Sequence, residues 1–120
     1  MSATGFPVEM VHGVATVTTP EEIDITNADE LRAALQQAGS DGSGTLVVDM
    51  SGTRFCDSAG LHALVDAHKR ALSDGGQVLL AAPGPAVLRI FDITGVDQVL
   101  PRFAGVDEAL AHLAAAGSGA

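Results

Sequence analysis

Two short apolar runs constrain this chain most: Thr45 to Met50 (TLVVDM) and Val78 to Ala82, with a helix-patterned stretch between them. Neither run alternates apolar with polar, as a strand with one wet face would. Both read as strands buried on two sides. Between them Leu61, Leu64, Val65, His68 and Leu72 recur at three- and four-residue spacing, which gives a helix one apolar face. Gly75-Gly76 then ends that helix. Strand, helix and strand in this order predict a parallel pair joined by a helical crossover.

The flanks extend the same plan. Val8 to Val11 and Val14 to Thr19 are rich in β-branched residues around His12-Gly13, a hairpin signal, and Pro20 closes the second strand. Thr26 or Asn27 caps a helix reaching Ala38, with Asp29 and Glu30 in its first turn and Ala28, Leu31, Leu35 and Ala38 on one face. Gly39 to Gly44 reads as a flexible loop. Pro83-Gly84-Pro85 breaks the chain before a short helix outlined by Val87, Ile90, Phe91 and Thr94 and ended by Gly95. Val99-Leu100 is read as a short edge strand, and Val106, Ala109, Leu110 and Leu113 as a final amphipathic helix. The expected fold is a single α/β domain over residues 1–120. It has a mixed sheet of four to five strands, an N-terminal hairpin and about four helices, with 1–5 and 117–120 flexible.

Composition narrows the function. With 120 residues and 47% apolar content, one core suffices without disulfides or metals. Four Phe and no Trp or Tyr make that core aliphatic. The single cysteine, Cys56, excludes an internal disulfide and a zinc site of several thiolates, and points to a reducing compartment. No run approaches the roughly 18 apolar residues of a transmembrane helix, and Met1 to Gly5 lacks the regions of a signal peptide. A cytoplasmic location is expected. The net charge of −9 disfavours nucleic acid and anionic membranes and suits a protein partner bearing basic groups.

The most informative segment runs from Val47 to Leu61, where a strand leads through a loop to the start of a helix. Asp57 and Ser58 sit at that start, beside N–H groups that lack intrahelical partners and carry partial positive charge. By position alone Ser58 reads as an N-cap serine and Asp57 as a carboxylate favoured by the helix dipole. A phosphate on Ser58 would be stabilised by the same N–H groups. Ser58 is the one hydroxyl between Thr53 and Ser73.

A buried strand, the loop TRFCDSAGL and an amphipathic helix together resemble the STAS domain of bacterial anti-sigma factor antagonists. Glu22-Ile23-Asp24 before the first helix, Gly75 to Leu80, and Ile93-Thr94-Gly95-Val96 extend the likeness over nearly the whole chain. The resemblance implies partner switching. The unphosphorylated antagonist binds an anti-sigma factor that is also a serine kinase. The kinase phosphorylates Ser58 and the complex falls apart, and a metal-dependent serine phosphatase resets the switch. Asp24, Asp57, Ser58, Ala59, Gly60 and Leu61 would form the partner surface, with Asp57 orienting Ser58. Two positions depart from the pattern: Pro20-Glu21 stands where the family often has glycine, and Ala59 where a second serine is common.

Other readings are weaker. Cys56 to Gly60 superficially resembles a hydrolase nucleophile elbow, but its first glycine is replaced and the chain is short for that fold. Cys56 reads as a small buried hydrophobe, and His68 as a packed histidine. His62 and Asp66 do not make a metal site, while Asp66 and Arg70 read as a solvated pair. No nucleotide-binding loop is present, so no cofactor is expected and any ATP belongs to the partner. The domain is read as a non-enzyme. The alternative is an unphosphorylated STAS module of a transporter complex or signalling scaffold.

Overall fold

In the computed structural model, which describes residues 6–41, 44–95 and 100–118, the two apolar runs lie side by side as predicted. They are strands β4 (Leu46–Asp49) and β6 (Val78–Ala81), paired in parallel with Val48 opposite Leu80. The hairpin β1 (Val8–Val11) and β2 (Val14–Thr18) adds to β4, with β1 antiparallel to β2 and β2 parallel to β4. His12 and Gly13 both adopt positive φ, 52° and 79°, the twist that a two-residue hairpin turn requires.

β7 (Arg102–Phe103) closes the far edge, giving the order β1-β2-β4-β6-β7. The expected edge strand at Val99-Leu100 is thus shifted along the chain. Val99 lies outside the described residues. Leu100 is buried in the core, and pairing begins after Pro101, which has no N–H to give a ladder.

Among the described residues four helices cover this sheet: α1 (Ala28–Asp41), α2 (Ser58–Ser73), α3 (Pro85–Thr94) and α4 (Val106–Ser118). The strand residues divide between two cores. Ala15, Val17, Leu46, Val48, Val78 and Leu80 pack with Leu31, Leu35, Leu61, Leu64 and Phe91 of the first three helices. Val47, Leu79 and Ala81 point the other way, against Ala109 of α4. Burial on both faces explains why β4 and β6 carry no polar alternation. Each fully buried Val or Leu contributes about 1.5–3 kcal/mol.

Several boundaries differ from expectation. α1 runs through Gly39 to Asp41, where a loop was expected, and the Ser40 hydroxyl donates back to the Gln36 carbonyl at 3.0 Å. The rest of that loop, 42–43, lies outside the described residues, as do 1–5 and 119–120. Gly117 and Ser118 are still helical. Leu72 is exposed, because the buried arc of α2 centres on Leu64, Ala67, His68 and Ala71. Asp66 pairs with Arg32 of α1 at 3.0 Å instead of with Arg70, and Arg32 also reaches Asp29. This guanidinium joins the two helices across their shared face.

His68 is packed in the core as its position on the apolar face implied. Its Nδ1 accepts the Val78 N–H at 3.1 Å, tying α2 to the first residue of β6. Burial lowers its pKa below the ordinary value of 6.5. Neutral His68 is common to the folded and unfolded chain above that value. Below it the unfolded chain takes up a proton that the folded chain refuses. Stability contributed by His68 is therefore complete above about pH 6.5 and falls as the pH drops toward the folded pKa, by at most about 1.4 kcal/mol per pH unit. Chemical denaturation of wild type and His68→Gln at a series of pH values should show a difference that changes with pH only below about 6.5. A constant difference down to pH 5 would contradict the assignment.

Candidate functional site

At the carboxyl ends of β2 and β4 the chain builds a second, smaller sheet. Two-residue strands β3 (Glu22–Ile23) and β5 (Phe55–Cys56) pair in parallel, with Glu22 opposite Phe55 and Ile23 opposite Cys56. Each is too short to be recognised by period, which is why sequence reasoning missed the ribbon. Buried Thr19 and Thr53 anchor it to the main sheet. Thr53 donates its hydroxyl proton to the Pro20 carbonyl at 2.7 Å, and the Thr19 hydroxyl shares its one proton between Thr53 Oγ1 and the Asp49 carbonyl at 3.2 Å.

Ile23 and Cys56 turn inward and Phe55 outward, as successive strand residues must. The buried pair rests on Gly60 in the first turn of α2. A Cβ at Gly60 would meet Ile23 Cγ2 at 2.5 Å and Cys56 Sγ at 2.9 Å, so only glycine lets the ribbon lie flat on the helix. Gly60 and Leu61 are buried, and they seat the site from below. Ser58 is exposed above them, while Asp24, Asp57 and Ala59 are half-buried.

Ser58 is the first residue of α2 and not its cap. Asp57 occupies the cap position, with extended backbone and its Oδ1 accepting the Gly60 N–H at 3.0 Å. Three residues separate cap and amide, the spacing an N-cap side chain satisfies. The second oxygen, Oδ2, accepts the Ile25 N–H at 3.1 Å. One carboxylate thus joins α2 to the loop before α1. The Ser58 hydroxyl has no hydrogen-bond partner among the described residues.

That loop is held from within as well. Asp24 Oδ1 accepts from the Thr26 hydroxyl and, at 2.9 Å, from the Thr26 N–H. These bonds, the hydroxyl first, hold the Asp24 carboxyl below the usual carboxylate range. Asn27 does not cap α1 in the ordinary sense. Its Oδ1 accepts the Asp24 N–H at 2.9 Å and its Nδ2 donates to the Glu22 carbonyl at 2.9 Å. An Asp-x-Thr sequence is a side-chain turn signal, so this turn is legible in the sequence. At the loop's tip Ile25 is 78% exposed, and Phe55 is 46% exposed on the ribbon.

Chemically the site offers a free hydroxyl and little else. Burial, and then the charge of Asp57, push the Cys56 thiol up to about 12, so it stays protonated and weakly nucleophilic at neutral pH. His62 is exposed on α2 and makes no hydrogen bond to Ser58 or Cys56. Among the described residues no group of three His, Cys, Asp or Glu could hold a metal.

Comparison with known proteins follows this geometry. A family model for the STAS domain matches residues 6–109. An anti-sigma F factor antagonist of Paenibacillus polymyxa is 27% identical over 109 residues, covering 88% of this chain and 93% of the relative. The crystal structure of an anti-sigma factor antagonist from Mycobacterium paratuberculosis superposes with a TM-score of 0.80. It is 32% identical and covers 89% of this chain and 91% of its own. The murine Solute Carrier 26 family member A9 anion transporter contains a similar fold, with a TM-score of 0.73 and 27% identity. It covers 89% of this chain and 18% of the transporter.

The two functions of Asp57 separate by substitution. Asp57→Asn keeps one acceptor, enough for the cap, and places an amide N–H2 where the second is needed. It should leave stability nearly unchanged while speeding hydrogen exchange at the Ile25 amide. Asp57→Ala should lose about 1 kcal/mol and free both the Ile25 and Gly60 amides. Ile25 exchange that is identical in all three proteins would show that the carboxylate does not hold the loop. Gly60→Ala should destabilise by more than Ala59→Gly, since its methyl has no space, and denaturant midpoints compare the two directly.

Proposed function

Because the chain belongs to the STAS domain family, we propose that it acts as an anti-sigma factor antagonist switched at Ser58. In the unphosphorylated state it binds an anti-sigma factor that is also a serine kinase, and so releases the sigma factor. Phosphorylation of Ser58 breaks the complex, and a serine phosphatase restores the binding form. The chain is a cytoplasmic regulator in this reading. It uses partners' ATP and phosphatase metal and catalyses nothing itself. Its acidic balance keeps nucleic acid and anionic membranes off the list of partners.

The observation that carries the proposal is the placement of Ser58. It is an exposed hydroxyl at the first position of a long helix, free of bonds to its neighbours, with a fixed ribbon and loop beside it. A kinase needs an accessible hydroxyl on a surface it can recognise, and both are present. The first-turn N–H groups of Ser58 and Ala59 have no intrahelical acceptor and would stabilise a phosphate there. A phosphate adds about −1.5 to −2 charges next to Asp57 and Asp24. A coupling of about 1–3 kcal/mol, or 5- to 150-fold in affinity, is enough for the switch.

A second reading is favoured by the likeness to the transporter. A STAS module of a transporter complex or scaffold would use the same surface without phosphorylation. Intact mass after incubation with ATP and the anti-sigma kinases of the same organism separates the two. One added phosphate on wild type and none on Ser58→Ala supports the switch. Ser58→Ala should stay bound to the kinase, and Ser58→Asp should bind less well. No phosphate with any kinase, or equal affinity for all three forms, transfers support to the scaffold reading.

A further inference from the structure

We propose that Ile25 is the apolar anchor through which this chain docks its anti-sigma factor, and that Asp57 is the latch that presents it beside Ser58. The inference rests on the reading above and names the side chain that makes the contact. Among the described residues Ile25 is the most exposed large apolar side chain, at 78%. Exposure alone carries little, since single apolar residues on a surface are ordinary. Val8, Met10, Leu72 and Ile93 are also exposed.

Val8, Met10, Leu72 and Ile93 lie in regular strands or helices, whereas Ile25 lies in a loop whose backbone is held by side chains of the candidate site. Its own N–H is fixed by Asp57 Oδ2 at 3.1 Å. The residue before it closes a side-chain turn onto Thr26, and Asn27 stitches Asp24 to the end of β3. An apolar group held out on an ordered loop loses less freedom on docking, which favours affinity. None of the other exposed apolar residues is bonded to a neighbour of Ser58.

The surroundings specify the partner's chemistry. Asp24 precedes the tip, Asp57 bonds its N–H, Glu22 is exposed on the strand leading to it, and Arg54 on β5's approach is matched by Glu21 at 3.2 Å. An apolar spot with an acidic rim fits a protein recess lined by aliphatic or aromatic side chains and edged by Lys or Arg. Phe55, outward on the ribbon opposite Glu22, is a second exposed apolar side chain of the site. A phosphate on Ser58, seated on the free Ser58 and Ala59 N–H groups, repels the adjacent Asp57 carboxylate. Asp57 then gives up Ile25, and the anchor loses its fixed position.

The anti-sigma kinase that phosphorylates Ser58 is the probe. Titrated into unphosphorylated protein, it should bind Ile25→Ser about tenfold to a hundredfold more weakly than wild type, the loss expected for one buried aliphatic side chain. Ile25→Leu should stay within about threefold. Thermal midpoints of both variants should match wild type, because the side chain has little to lose on the surface. Wild-type affinity of Ile25→Ser overturns the anchor. If Ser58→Asp nevertheless weakens binding, the switch stands and the anchor alone falls. The latch is read without any partner, by hydrogen exchange at the Ile25 amide before and after phosphorylation. Faster exchange after phosphorylation supports it, and unchanged exchange overturns it.

Discussion

The site depends on a single carboxylate that accepts two backbone N–H groups from different parts of the chain. Asp57 caps α2 through Gly60 and holds the β3–α1 loop through Ile25. Only a carboxylate does both, since an amide offers one acceptor and a hydroxyl lacks the reach. Its own N–H donates to the Ile23 carbonyl at 3.0 Å, which continues the ribbon pairing into the cap. Ser58 is therefore presented by a short extended segment bonded on both sides, and its hydroxyl needs no other support.

This arrangement works because the ribbon beneath it has no freedom to drift. The Thr19 and Thr53 hydroxyls tie the loop Ser51 to Arg54 to the ends of β2 and β4. The absent Cβ at Gly60 lets Ile23 and Cys56 press against α2. Order thus passes from the buried sheet through two threonines and a glycine to the surface around Ser58. Thr19, Thr53 and Gly60 are themselves buried, yet changes in any of them would displace the exposed groups above them.

Much of the scaffold was readable because burial leaves a strong imprint on composition. β4 and β6 are apolar throughout, and α1, α2 and α4 carry their faces at helical spacing. The hairpin declares itself at His12-Gly13, where two positive φ values are needed. Ser58, Asp57 and Asp24 were picked out by motif, and the fold brings them to one edge. What was not legible depended on tertiary contact. β3 and β5 have two residues each, too few for any period. The partner of Asp66 lies on another helix, so local spacing named Arg70 when Arg32 was nearer. Whether Ser58 or Asp57 caps α2 turns on a one-residue shift of the helix start, and the site's chemistry changes with it. As a cap, the Ser58 hydroxyl would be occupied; as the first helical residue, it has no hydrogen-bond partner among the described residues.

The sign of the charge at this surface also limits how a phosphate can dissolve a complex. A chain of net charge −9 with an acidic rim attracts a basic partner, and a phosphate only strengthens that long-range pull. Screening by salt confines the extra attraction to within about 10 Å. Dissociation must therefore originate at short range. A kinase that acts on Ser58 has to bring its nucleotide phosphates against this hydroxyl, so the product is two anionic groups in one place. In the proposed switch, release of Ile25 through Asp57 removes apolar contact at the same moment. In that switch the repulsion acts at Ser58 and the loss of the anchor at Asp57, adjacent residues at the start of α2.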